Sequence, residues 1–69
     1  MSDNSYESTY KYAYSLFNKA RDYEDLNAKE SFLRQAYGAA YAASTAGVDG
    51  ADSLLNEIIS YAKGYGIYL

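Results

Sequence analysis

"QAYGAAYAASTAG", residues 35–47, decides how the rest of this chain is read. The stretch carries no charge and no proline, is dominated by alanine, and spaces Tyr37 and Tyr41 four residues apart. Alanine is the best helix former, and Ala36, Ala40, Ala43 and Gly47 recur at the spacing of one helical face. The inner side of this helix is therefore a groove of small residues. A thin helix lets its neighbours approach closely, so that larger side chains on them fill the space. Gly47 ends it, because glycine readily takes the left-handed conformation that closes a helix, and Val48 follows as the apolar residue that commonly packs back.

Working upstream, Asn27-Ala28-Lys29-Glu30 has the form of a capping box and predicts the start of this helix, over about residues 28–46 with a core stripe of Phe32, Leu33, Ala36, Ala40 and Ala43. A similar box, Asn4-Ser5-Tyr6-Glu7, opens a first helix over about 5–24, with Tyr6, Tyr10, Ala13, Phe17 and Ala20 on one face. Downstream, Asp49 and Asp52 read as the cap and first-turn charge of a third helix over about 50–63. Its buried face is Ala51, Leu54, Leu55, Ile58, Ala62 and Tyr65, and a short apolar tail, 64–69, follows. Three amphipathic helices joined by two short loops pack as antiparallel neighbours. The prediction is one all-α domain over 1–69, an up-down-up three-helix bundle.

A chain of 69 residues buries only about 60% of its unfolded surface, so a small domain usually needs a staple. With no cysteine there is no disulfide, and with neither cysteine nor histidine the usual zinc ligands are missing. The remaining supports are close helix packing or association. Nine acids against six bases leave a net charge of −3, and no basic run is present to neutralise phosphates. Direct nucleic-acid binding is not expected. The opening MSDNSYES is not a signal-peptide pattern, and the longest unbroken apolar run, residues 39–43, is far too short to cross a bilayer. These features predict a cytoplasmic protein with no membrane partner.

No catalytic, cofactor-binding or metal-binding residues emerge. A nucleophile with an adjacent base is out of reach without histidine or cysteine. Asp22, Glu24 and Asp25 point in different directions if helical, and "VDGADS" lacks the length and terminal glutamate of a calcium loop. Gly64-Tyr65-Gly66 follows a helix instead of opening one, so it is no phosphate cradle. The chain reads as a non-enzyme that needs no cofactor.

The informative surplus is aromatic. Ten tyrosines stand among the 69 residues. On the first helix Tyr12, Leu16 and Tyr23 extend one edge of the core stripe and Tyr14 the other, widening the apolar arc to about 200°. Leu16 and Tyr14 are expected inside the bundle. Tyr12, Tyr23, Tyr37 and Tyr41 are expected on a partner surface, since tyrosine is enriched where proteins bind one another. The tail, "GYGIYL", is expected to fold back and seal the bundle, with Tyr68 available to a groove that captures chain ends as the other reading. Together these predict a small interaction module that binds itself or another protein through Tyr12, Tyr23, Tyr37, Tyr41 and Tyr68. A second reading is an acidic inhibitor, of the kind phages encode, that occludes a nucleic-acid-handling enzyme.

Overall fold

The computed structural model describes residues 5–69, which form α1 (Ser5–Asp22), α2 (Leu26–Thr45) and α3 (Ala51–Gly64). The all-α three-helix bundle is as the periodicity predicts. The cap assigned to Asn4 lies outside the described residues.

Helix ends are set by backbone accounting, and here two sequence expectations change. Asp25, not Asn27, caps α2: it holds an extended conformation (φ −66°, ψ 123°), and its carboxylate accepts the Ala28 amide at 2.9 Å. A capping carboxylate satisfies an orphan amide and places negative charge at the positive end of the helix. The turn is thereby Tyr23, Glu24 and Asp25, two residues earlier than expected and of the same length. Asp49 does not cap α3. Gly50 does, at φ 86°, without any side-chain hydrogen bond, and a Cβ there would stand 3.2 Å from the Tyr10 hydroxyl. The left-handed backbone at that position favours glycine where an aspartate cap was expected one residue earlier. Asp52 keeps its first-turn place and accepts a hydrogen bond from the Ser44 hydroxyl, tying the end of α2 to the start of α3.

The two C-terminal stops follow one scheme. At Gly47 (φ 82°) the amide bonds Ser44 at 3.0 Å, and the Val48 amide reaches Ala43 at 3.0 Å. At Gly66 (φ 75°) the amide bonds Lys63 at 3.0 Å, and the Ile67 amide reaches Ala62 at 2.9 Å. Both are Schellman closures that satisfy carbonyls the helix leaves open. The second turns Ile67 into the core, so the tail does fold back on the bundle, with Leu69 packed beside it.

α2 lies along both other helices, whereas the α1 and α3 backbones barely approach one another. Ala36, Ala40 and Ala43 are fully buried on its inner face, and the core cluster around Ala36 and Ala40 includes Phe17 of α1, Leu33 of α2 and Ile58 of α3, the largest fully buried side chains. Burying a side chain of that size contributes about 1.5–3 kcal/mol, and three such groups are a large share of what a domain this small can muster. α1 and α3 meet through long side chains, as where the Phe17 ring stands edge-on to Tyr61 at 5.5 Å.

Two further differences concern tyrosines of α1. Tyr14, expected inside, is exposed, with its ring edge-on to Tyr10 at 6.2 Å. Tyr6, expected on the core face, is exposed as well: it sits opposite Ala46, where α2 stops. Leu16 is buried as predicted.

Candidate functional site: a tyrosine surface and a buried lysine

The core contains alanine, leucine, isoleucine and one phenylalanine, but no tyrosine. All ten tyrosine side chains keep part of their surface in solvent, seven of them openly and Tyr10, Tyr37 and Tyr61 half-buried. Tyrosine therefore forms the skin of this bundle, with Tyr10, Tyr37 and Tyr61 packed against the core beneath.

The five positions singled out from the sequence fall in several places. Tyr12 stands on α1 at 59% exposure with no ring neighbour among the described residues. Tyr23 follows α1 and stacks flat on Phe32, with ring centres 5.2 Å apart and planes 9° from parallel. Tyr37 and Tyr41 form one stacked pair on α2, at 6.2 Å and 10°; Tyr37 leans on the core while Tyr41 is 58% exposed. Tyr68 is 74% exposed at the end of the tail, where its carbonyl accepts a long 3.5 Å hydrogen bond from Arg34. Tyr41 is brought together with Tyr6, Ala42, Thr45 and Ala46 around a shallow cleft; Tyr12, Tyr23 and Tyr68 are not drawn into that group.

A second cleft adjoins the first across Tyr6 and Ala46. It is lined by Tyr6, Glu7, Tyr10 and Lys11 of α1 and by Ala46, Gly47, Val48 and Asp49 of the turn after α2. The sequence reading missed this place because it treated Tyr6 and Tyr10 as core and Asp49 as a cap. The spacing of Tyr6 and Tyr10 puts them on one face, and that face meets the turn after α2 instead of the helix itself.

Lys29, read from the sequence as part of the Asn27-Ala28-Lys29-Glu30 cap pattern, is the other residue brought into a site. It is only 3% exposed. Its ammonium donates to the Ala20 carbonyl at 3.0 Å and to the Tyr61 hydroxyl at 2.7 Å, and lies 5.0 Å and 4.7 Å from the ring centres of Tyr61 and Tyr65. Ala20 is in the last turn of α1, where free carbonyls and the helix dipole attract a cation. The signal was available: Lys29 stands four residues before Leu33, on the line that continues to Ala36 and Ala40. Its neighbourhood also splits two phenols. Burial works against ionising Tyr61, but the hydrogen bonds from Lys29 and Tyr65 and the charges of Lys29 and Arg21 together hold it below its ordinary value. Tyr65 moves the opposite way, raised by its hydrogen bond and charge coupling to Tyr61.

Among the described residues no group of three or more histidine, cysteine, aspartate or glutamate side chains is placed to hold a metal. No described helix is long and apolar enough to cross a membrane. Comparison of the chain with protein-family models, with curated proteins and with solved structures gives no match in any of the three.

Proposed function

We propose that this protein is a small, non-catalytic interaction module that binds protein through its tyrosine-clad surface. One observation carries the reading: a 69-residue bundle keeps every one of its ten tyrosines at least partly in solvent and builds its core without them. A ring that is not needed inside the fold costs solubility when left in water, and tyrosine's broad, stiff, half-polar side chain suits contact with another protein. Isolated exposed apolar residues are ordinary, but here exposed Tyr6 and Tyr41 share a cleft, and Tyr41 is stacked on Tyr37. The surface acids favour encounter with a basic partner.

The test is sedimentation of the intact chain over a wide concentration range, alongside capture of proteins from the source cell, with a Tyr12→Ser/Tyr41→Ser variant as the comparison. Both residues are exposed, so the variant retains its helicity. Self-association or specific capture that this variant loses supports the reading. A monomer at every concentration that captures nothing in a ring-dependent way overturns it.

A further inference from the structure

The two clefts that meet at Tyr6 differ in chemistry, and that difference carries an inference about the partner. One is lined by Tyr6 and Tyr10 with the carboxylates of Glu7 and Asp49 and the ammonium of Lys11, a lining of net charge −1 (two acids against one base). The other, bounded by Tyr6, Tyr41, Ala42, Thr45 and Ala46, has no charge at all.

The acids in the first cleft, Glu7 and Asp49, are not ion-paired among the described residues, where the one salt bridge joins Glu30 to Arg34 at 2.6 Å. Lys11 stands one turn beyond Glu7 on α1 without closing a salt bridge to it. Asp49 was expected to spend its carboxylate on the first turn of α3, and Gly50 takes that position instead. Glu7 and Asp49 line this cleft together with Tyr6 and Tyr10, and carboxylates and aromatic rings attract the same charge, that of an organic cation.

We infer that this pair of clefts binds an extended segment of a basic partner protein, seating an arginine or lysine side chain between Tyr6, Tyr10, Glu7 and Asp49 and an adjoining apolar side chain on Tyr41, Ala42 and Ala46. The occupant follows from charge complementarity in the first cleft and its absence in the second. The inference rests on the interaction reading above and adds the partner's chemistry to it.

The experiment titrates the isotope-labelled full chain with a short peptide of alternating arginine and leucine, and with the same peptide carrying glutamate for arginine. The arginine peptide shifts amide signals of residues 6–11 and 41–49, and its affinity falls as salt is raised. The glutamate peptide does not bind there. Glu7→Gln with Asp49→Asn, both at exposed positions, weakens the arginine peptide about 2- to 30-fold, the range of two surface ion pairs. Tyr6→Ser weakens it about 2- to 5-fold, as loss of an exposed cation–π contact predicts. Equal binding of both peptides, shifts confined to other residues, or no binding at all overturns the inference. A chain that self-associates through its tyrosines yet ignores the arginine peptide overturns this inference alone; one that does neither overturns the interaction reading too.

Discussion

Replacing Lys29 offers the sharpest probe of how this bundle is held together. Two opposing effects act on its ammonium. The two hydrogen bonds, to the Ala20 carbonyl at 3.0 Å and the Tyr61 hydroxyl at 2.7 Å, are of the charged kind that contributes about 1.5–3 kcal/mol each. Against them stands the desolvation of a cation in a site that is 97% covered (100% less 3% exposed), which costs several kcal/mol. These nearly cancel, so most of the residue's net value lies in its buried stem. Ala20 would not be left bare without it, because its carbonyl also receives the Tyr23 amide at 3.3 Å, and the half-exposed Tyr61 hydroxyl can turn to water. Lys29→Met keeps the stem and removes the charge, and is expected within about 1.5 kcal/mol of the parent. Lys29→Ala also removes the stem and is expected to cost about 2–4 kcal/mol. Lys29→Glu puts a buried anion against the negative end of α1 and is expected to cost about 3–5 kcal/mol, enough to unfold a domain of this size at room temperature. Thermal and urea unfolding followed by far-UV circular dichroism reads the series, with about 4–8 °C in midpoint per kcal/mol. A methionine variant as damaged as the glutamate variant would refute the reasoning, since the ammonium itself would then be the source of stability. So would a glutamate variant with an unchanged midpoint, which would place Lys29 in solvent.

Further expectations concern the glycines, the cap and the phenols. Gly38 is helical with open space around its missing Cβ, whereas Gly47 holds φ 82°, so glycine-to-alanine should stabilise by about 0.5–1 kcal/mol at 38 and destabilise by about 1–2 kcal/mol at 47. The same denaturation assay checks both, and a common sign at the two sites would contradict the assignment. Asp25→Ala removes the α2 cap and should cost about 1 kcal/mol, while Asn27→Ala should cost little; the reverse order would restore Asn27 as the cap. Near-UV titration should show one tyrosine, Tyr61, ionising below the ordinary phenol range and another, Tyr65, above it, with the early step abolished by Lys29→Met. The signs oppose. Tyr61, lowered in the folded state, contributes stability present above the unfolded phenol value of about 10 and lost as pH falls through its folded value. Tyr65, raised, contributes stability present below about 10 and lost as pH rises through its folded value, so the titration itself, not the net stability, is the decisive readout.

Much of the fold is legible in the residue order because its causes are local. Helical spacing of Ala36, Ala40 and Ala43 reveals a thin inner face, and the run from Ala13 through Phe17 to Ala20 reveals the surface that packs on it. Gly47 announces its own stop, since only the left-handed backbone there requires glycine, and the repeat of that device at Gly66 turns Ile67 inward. What the sequence by itself determined was thus the helices, their inner faces and the bundle class. The tertiary structure alone decided which aromatic groups were left over, because cover depends on the distance between helix axes and on where each helix stops. The α1 and α3 backbones stay apart, and Tyr14 is exposed; Tyr6 lies opposite the end of α2 and lines two clefts; and the Lys29 ammonium is enclosed between the end of α1 and the rings of α3. Periodicity marks the direction of a side chain from its own helix axis. Burial is decided by what the neighbouring helix brings to meet it.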